Sequence, residues 1–153
     1  MNLKRNHKKI MSKINFTIET LIKVAQQSDI SYKHSAGLIY DDKIHSIGVN
    51  KFVPFKKYKG IQLYRTIHAE LSIFEKIPKR VVKGMDIIVI RINKKLQLRN
   101  SRPCKDCIDE LKQIGIRKVY YSNDNGDIVY EFVENMIKTH TSAGMKFCKE
   151  LIR

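Results

Sequence analysis

The spacing of apolar residues along the chain predicts a succession of helices and strands. Apolar residues recur at helical spacing over residues 14–28, which predicts an amphipathic helix. Two alternating segments flank residues 41–43 and predict a β-hairpin. The segment that follows, residues 51–65, has no strong period and is rich in lysine and aromatic residues. The first part of the chain therefore contains a helix, a hairpin and a segment without a predicted element.

A second helix and a buried strand are predicted next. Thr66 is a suitable N-cap for a helix that begins at Ile67 and ends before Pro78. Residues 85–92 contain the continuous apolar run Ile-Ile-Val-Ile at residues 87–90. A continuous apolar run of this kind is typical of a strand that is covered on both faces.

The last third of the chain completes the predicted order of elements. Pro103 is well placed in the first turn of a helix that runs to Ile114, with Gly115 just past its end. An Asn-Gly step predicts a second hairpin over residues 118–133, and a final helix is expected over residues 142–152. The order α-ββ-α-β-α-ββ-α predicts an α/β fold, a three-layer α/β/α sandwich with a mixed five-stranded sheet.

The size and charge of the chain limit the number of domains and the kinds of partner that it can have. Its 153 residues fit one domain, placed at residues 14–153, and residues 1–13 are expected to form a mobile basic tail. The chain contains 30 Lys and Arg and 15 Asp and Glu. The resulting net charge of +15 favours polyanionic partners such as nucleic acid. No apolar run is long enough to span a bilayer, and the first residues lack the apolar segment of a secretory signal. We therefore expect an intracellular protein without a membrane partner.

Residues suited to zinc occur at two predicted helix starts. His68 and Glu70 open the second helix, and Cys104 and Cys107 open the third. One imidazole and two thiolates are ligands that suit tetrahedral Zn²⁺, and cysteines three residues apart project from the same face of a helix. Three protein ligands leave the fourth position open, as in catalytic zinc sites. Cys148 is expected to be a core or surface residue.

The segments His-Ala-Glu at residues 68–70 and Pro-Cys-Lys-Asp-Cys at residues 103–107 together form the motif H-x-E … P-C-x-x-C. In this motif the sequence resembles the cytidine/deoxycytidylate deaminase superfamily, over about residues 35–132. The resemblance implies a cytidine deaminase-like fold and one Zn²⁺ held by the histidine and the two cysteines. It also implies that Glu70 shuttles protons while water replaces the exocyclic amine of cytosine and ammonia leaves.

The resemblance further implies three substrate contacts. Ala69 matches the position whose backbone N–H meets the base. Asn50 matches an asparagine that holds the sugar in many members, although a turn residue at the end of a strand is an alternative interpretation. Arg102 would offer its backbone carbonyl to the departing amino group, while its side chain is expected to contact a phosphate.

Basic and aromatic residues near the motif favour a single-stranded substrate. Residues 51–65 carry five basic residues and no acidic one, with two Phe and two Tyr interleaved. Cations that follow a phosphate backbone, together with aromatic rings that stack on bases, are typical of single-strand binding. The candidate nucleic-acid contacts are Lys56, Lys57, Tyr58, Lys59, Arg65 and Arg99. The preferred substrate is therefore cytosine in single-stranded DNA or RNA, and a solvated loop with inward-packed aromatics is the alternative for residues 51–65.

Other functions are compatible with the same residues. A free pyrimidine nucleotide or nucleoside, deoxycytidylate or cytidine, needs only a few cations, and an RNA adenine deaminase would use the same zinc motif. A nucleic-acid-binding scaffold without turnover is a further alternative, but it has no need of Glu70. A redox Cys-x-x-Cys protein would leave the His-Ala-Glu segment unexplained.

The predicted subfamily and assembly also rest on the resemblance. The hairpin over residues 118–133 resembles the free-nucleoside deaminases, whereas His68 as the first ligand is more typical of deoxycytidylate, transfer-RNA and polynucleotide deaminases. Relatives are often dimers or larger, which makes a homo-oligomer an expectation. His34 and His45, near predicted strand ends, are expected to be surface or packing residues.

Overall fold

The computed structural model describes residues 2–137, and the side chains of residues 13–137. Within that range the helices α1, α2 and α3 span Asn2–Ala25, Ala69–Ser72 and Lys105–Ile114, and 3-10 turns lie at Ile73–Glu75, Lys79–Val81 and Val133–Asn135. Strands β1 to β8 span Lys33–Tyr40, Lys43–Val49, Lys51–Tyr58, Ile61–Ile67, Asp86–Ile92, Leu98–Arg99, Lys118–Ser122 and Ile128–Phe132. None of these helices is long and apolar enough to cross a membrane. The helix predicted over residues 142–152, and Cys148 with it, lie outside the described residues.

One mixed sheet forms the centre of the fold. Its main strands follow the order β2-β1-β5-β7-β8, and the short β6 pairs with the end of β5. Strands β5 and β7 are parallel, and each other pair of neighbours in this sheet is antiparallel. The hairpins predicted around residues 41–43 and over residues 118–133 are therefore confirmed, as is the predicted α/β fold.

The apolar run in β5 is buried on both faces of the sheet. Ile88 and Ile90 pack with Leu21 of α1 on one face. Ile87 belongs to the larger core on the other face, together with Ile108 of α3. Because successive side chains of a strand point to opposite faces, this continuous run builds both cores. The prediction of a strand covered on both faces is confirmed, and the layers are α, β and α.

Helix α1 differs in its bounds from the helix predicted over residues 14–28. It begins at Asn2 and ends at Ala25. The early start includes most of the predicted basic tail, which lacks a sustained apolar stripe but is rich in lysine, a residue with high helix propensity. The mobility of residues 1–13, and the division at residue 14, stay predictions.

Residues 51–65, which had no predicted element, contain most of an antiparallel hairpin. Strands β3 and β4 form a separate two-stranded sheet. The turn consists of Lys59 and Gly60, which both have positive φ angles, 47° and 81°, as the favoured two-residue hairpin turns require. The ladder shifts register between Pro54 and Lys56. This bulge breaks the alternation of polar and apolar residues, which is why the period was hidden in the sequence.

The two helices that carry the motif begin later than predicted. Thr66 and Ile67 belong to β4, so the prediction of Thr66 as a helix cap is wrong, and His68 is the N-cap instead. Pairing with β3 holds Thr66 in an extended conformation. Pro103 likewise precedes the N-cap of α3 rather than lying in its first turn. Gly115 ends α3 with a φ of 86°, as predicted.

Candidate metal centre and active site

The predicted metal ligands lie together at the starts of two helices. His68 and Cys104 are the N-cap residues of α2 and α3, and Cys107 lies in the first turn of α3. The His68 Nδ1 atom lies 3.2 Å from the Cys107 Sγ atom and 3.6 Å from the Cys104 Sγ atom. All three donor atoms lie within 4.8 Å of one another. Since the ligand atoms of a tetrahedral zinc ion lie about 3.5–3.8 Å apart, these side chains fit one Zn²⁺.

Two buried serines fix the loop that leads to Cys104. The Ser101 hydroxyl donates to the Val89 carbonyl at 2.8 Å, and the Ser101 amide donates to the Ser122 carbonyl at 2.8 Å. The Ser122 amide donates to the Ser101 hydroxyl at 2.9 Å, and the Ser122 hydroxyl donates to the Arg99 carbonyl at 2.6 Å. The cysteine loop is therefore attached to both β5 and β7, which are rigid parts of the central sheet.

Hydrogen bonds among the three ligands set their protonation. The Cys107 thiol donates to the Cys104 sulfur, and together with a bond to His68 this lowers the pKa of Cys104 to about 3. The bond to Cys104 raises the pKa of Cys107, and the corresponding bond raises the pKa of His68. One thiolate is therefore ready for a metal ion, while metal binding must displace the proton of the Cys107 thiol and is opposed by the raised pKa of His68.

Glu70 is a buried carboxyl group beside this cluster. It lies in the first turn of α2, and only 4% of its surface is exposed. Burial raises the pKa of Glu70, and the nearby His68 partly opposes this shift. A carboxyl group whose pKa is raised toward neutral pH is suited to take up a proton and release it again.

The two halves of the motif line one cavity of about 540 Å³. His68 and Glu70 form part of its wall from one side, and Cys104 from the other. The predicted substrate contacts Asn50 and Ala69 line it as well. The fold thus brings together residues from the end of β2 and the starts of α2 and α3.

Asn50 is fixed by hydrogen bonds at the rim of this cavity. Its Oδ1 atom accepts from the Ser28 hydroxyl at 2.7 Å and from the His34 amide at 2.9 Å. Its Nδ2 atom donates to the Tyr32 carbonyl at 2.7 Å. These bonds orient the amide group, whose Nδ2 atom carries a second hydrogen. Asn50 therefore joins Ser28 and the start of β1 to the end of β2, at the wall of the cavity.

Arg102 lines the cavity, but its side chain is turned to a carboxylate. The Arg102 Nε and Nη2 atoms donate to the Glu131 carboxylate at 2.9 and 3.3 Å. The Tyr121 hydroxyl donates to the same carboxylate at 2.7 Å, and Nη2 also donates to the Ile137 carbonyl at 2.9 Å. Nη1 is buried without a hydrogen-bond partner among the described residues. The side chain thus joins the cysteine loop to β8.

Three residues of the cavity wall were not predicted as site residues. Tyr32, His34 and Arg91 all line the cavity. The Arg91 guanidinium lies 4.7 Å from the centre of the Tyr32 ring. Burial lowers the pKa of His34 to about 4, so this histidine is neutral at pH 7. The predicted hairpin could have indicated Tyr32 and His34, since antiparallel pairing brings the start of β1 beside Asn50 at the end of β2, whereas Arg91 reaches the cavity because β5 pairs with β1.

The residues predicted to contact nucleic acid lie elsewhere. Five of them are on the β3–β4 hairpin and one is on β6, namely Lys56, Lys57, Tyr58, Lys59, Arg65 and Arg99. The cavity lining includes none of these six. Their role in binding stays a prediction.

Comparison with known proteins identifies the family. Residues 11–123 match the family model of the cytidine and deoxycytidylate deaminase zinc-binding region. The chain belongs to this family. The match covers the metal cluster and Glu70, so the protein is a hydrolytic deaminase, and one Zn²⁺ is the cofactor that its histidine and two cysteines are positioned to coordinate. The predicted family, enzyme class and cofactor are thereby confirmed.

Two solved structures with the same fold share less than a quarter of their residues with this chain. The dCMP deaminase from the cyanophage S-TIM5, in complex with dCMP and dUMP, is 23% identical, with a TM-score of 0.52 over 76% of this deaminase and 82% of that chain. The cytidine deaminase from Burkholderia pseudomallei is 16% identical, with a TM-score of 0.56 over 81% of this deaminase and 95% of that chain. No curated protein matches the sequence. At these identities the structures support the fold.

Proposed function

We propose that this deaminase converts the cytosine of a nucleotide to uracil, with Glu70 as the residue that carries protons. The observation that supports the proposal is that Glu70 lines the same cavity as the ligands His68 and Cys104. A buried carboxyl group and a metal site in one cavity can act on the same water molecule and the same base.

The protein groups account for the proton transfers of this reaction. Bound zinc acts as a Lewis acid and lowers the pKa of a water molecule toward about 7. Glu70 takes a proton from water and delivers it to N3 of the ring, while the water oxygen bonds to C4. A second proton passes through Glu70 to the exocyclic amine, which leaves as ammonia, and a carbonyl forms at C4. The atoms balance, since cytosine and water give uracil and ammonia.

Groups around the cavity are suited to hold a pyrimidine nucleotide. We assign the Ala69 amide to the base and the Arg102 carbonyl to the departing amine. We assign the second hydrogen of the Asn50 Nδ2 atom to a sugar hydroxyl. The Arg91 guanidinium offers a positive charge for a phosphate, because it lies on the cavity wall, whereas the Arg102 guanidinium is paired with Glu131.

Cytosine can reach this cavity in two forms. The free nucleotide is supported by the cyanophage dCMP deaminase, whose solved structure contains dCMP and dUMP. Cytosine within a single strand is supported by the net charge of +15 and by the basic hairpin. Adenine in RNA and a binding scaffold without turnover are the remaining alternatives. An intracellular location and a homo-oligomer stay predictions.

The test is a deamination assay of zinc-loaded protein with Glu70→Gln. The glutamine has nearly the same shape but cannot take up and release a proton at neutral pH, so we expect turnover to fall by about 10²–10⁴-fold. Glu134→Gln, a change of the same kind at an exposed site, serves as the control. Zinc content is measured for each variant, and retained turnover in zinc-loaded Glu70→Gln would overturn the role of Glu70.

The substrates of this assay separate the alternatives. Cytidine, CMP and dCMP are compared with cytosine-containing DNA and RNA strands and with adenine-containing strands. Turnover of the adenine-containing strands alone would show that adenine, and not cytosine, is the substrate. Binding of strands without turnover of any substrate would support the scaffold.

A further inference from the structure

We infer that one face of the β3–β4 hairpin docks single-stranded nucleic acid, and that bases next to the target cytosine stack along it. The inference rests on the proposed function and deepens it, because it names the class of substrate that enters the cavity. This face, the aromatic strip, consists of Phe52, Pro54, Lys57, Gln62 and Tyr64, and it ends at Thr66.

The strand register places the aromatic residues of the strip on one face. Phe52 pairs with Thr66, and Pro54 pairs with Tyr64. Directly paired residues of antiparallel strands have their side chains on the same face, and alternate residues of one strand share that face. Phe52 and Tyr64 are therefore neighbours on the face that also carries Thr66.

The bulge in β3 adds a cation to this face. Without a bulge, Lys57 would project opposite to Pro54, because their positions differ by three, an odd number. The register shift between Pro54 and Lys56 instead pairs Lys57 with Gln62. Gln62 shares its face with Tyr64, so Lys57 joins the strip.

The two aromatic rings of the strip are exposed to solvent. Phe52 has 52% of its surface exposed, and Tyr64 has 56%. Among the described residues, β3 and β4 pair only with each other. Exposed aromatic rings in a row are the kind of platform on which successive bases stack.

The strip is continuous with the active-site cavity. Thr66, at its end, lines the cavity. Asn50, which immediately precedes β3, lines the cavity as well. A nucleic-acid strand whose cytosine occupies the cavity would therefore leave the cavity at the base of the hairpin, next to the Thr66 end of the strip.

The positive charge of the hairpin favours a negatively charged partner on this face. Residues 51–67 contain five Lys and Arg and no Asp or Glu. A partner with both negative charge and flat apolar rings fits this surface, and single-stranded nucleic acid has a phosphate for the cations and a base for each ring. A free mononucleotide has one base, which the cavity takes, and leaves the strip without a role.

On the opposite face of the hairpin, the cations lie over an aromatic ring of the same chain. Arg65 and Lys56 lie over the ring of Phe55, each 5.7 Å from its centre. Two of the predicted nucleic-acid contacts are thus held on an aromatic ring of the same chain. The docking surface assigned here relies on Phe52 and Tyr64 instead.

The experiment measures strand binding by fluorescence anisotropy with the full-length, zinc-loaded protein. The probes are labelled thymidine and uridine strands, each with one central cytosine, so that DNA and RNA are compared directly. Phe52→Ala and Tyr64→Ala remove the rings. Tyr40→Ala is the matched control, because Tyr40 has 57% of its surface exposed and lies at the end of β1 away from His34.

We expect each strip variant to weaken strand binding by about fivefold to a hundredfold, while Tyr40→Ala binds as the wild type does. Lys57→Gln should reduce the slope of log Kd against log salt by about 0.7. Unfolding temperature and zinc content are measured for every variant, since exposed substitutions of this kind leave both near the wild-type values.

Three outcomes overturn the inference. The first is equal strand affinity in Tyr64→Ala and Tyr40→Ala. The second is equal competition by inorganic polyphosphate in wild type and strip variants, which would mean binding by charge alone. The third is a change of Tyr64→Ala from dimer to monomer with unchanged strand binding, which would mean that a second copy covers the strip.

The same assays separate this inference from the proposed function. Turnover of dCMP or CMP without strand binding overturns the docking surface and supports the deaminase reaction. Strand binding that depends on Tyr64, without turnover of any cytosine substrate, supports the docking surface and overturns the reaction.

Discussion

The backbone of β2 touches the start of α2 where Gly48 meets Ala69. A Cβ atom on Gly48 would lie 2.5 Å from the Ala69 carbonyl oxygen and 2.1 Å from the Ser72 hydroxyl oxygen. Such distances are too short for any side chain, so the close approach requires glycine. Because Ala69 stands between His68 and Glu70, this contact sets how closely the active-site helix lies on the sheet.

Replacing Gly48 with alanine should therefore damage both stability and activity. The added methyl group must displace α2, and we expect the free energy of unfolding to fall by about 1–3 kcal/mol, with a loss of deamination rate. Gly37→Ala is the control, because a Cβ atom there meets its nearest neighbour, Ile88, at an ordinary 3.5 Å. Denaturant unfolding and initial rates are compared. Equal losses in both variants would contradict the special role of the Gly48 contact.

The buried carboxyl of Glu70 makes the zinc-free protein less stable as pH rises. Burial raises the pKa of Glu70, so the folded state holds a proton that the unfolded chain releases. The stability that comes with this proton is present below the usual pKa of glutamate and is lost as pH rises through the folded value. Glu70→Gln should therefore gain stability over wild type as pH increases. Denaturant unfolding from acid to neutral pH measures the difference, and a constant difference would refute the expectation.

His34 should weaken the fold in mild acid. Burial lowers the pKa of His34 from 6.5 to about 4, so below pH 6.5 the unfolded chain binds a proton that the folded protein does not. The contribution of His34 to the free energy of unfolding is thus fully present above pH 6.5. It falls by up to about 3 kcal/mol as the pH drops to about 4. His34→Gln should remove this part of the pH dependence. His45→Gln, at an exposed histidine of β2, should retain it, and identical pH profiles for the two variants would argue against the assignment.

Zinc affinity should fall as the solution becomes more acidic. Hydrogen bonds to Cys104 raise the pKa values of His68 and Cys107, and both groups must lose a proton to bind the metal. Competition with a chelator at a series of pH values measures the apparent Kd. Addition of excess chelator should also lower the unfolding temperature, because zinc binds only the folded arrangement of ligands. Affinity independent of pH would show that these protons are absent.

The sequence was most informative where function depends on local spacing. Cys104 and Cys107 share one helical turn, and His68 and Glu70 are two residues apart at the start of another helix. Such spacings are visible without knowledge of the fold. The apolar run in β5 is equally local, since burial on both faces removes any need for alternation.

Features that depend on register or on distant pairing were not visible in the sequence. The bulge between Pro54 and Lys56 breaks the alternation in β3 and hid the hairpin. Arg91 reaches the cavity wall beside His34 because β1 pairs with β5, and no short window of sequence contains both strands. Arg102 was expected to face a phosphate, yet a carboxylate that follows it by 29 residues holds its side chain.

Within the described residues, the hairpin that bears the aromatic strip pairs with no other strand, and both of its ends lie at its base. Lys51 and Ile67 are register partners, so the two ends of this insert lie about 5 Å apart. A short turn can close that gap without breaking any ladder of the central sheet. A change in the length or sequence of this hairpin can therefore alter the surface beside the cavity while the metal ligands, at the starts of α2 and α3, remain in place.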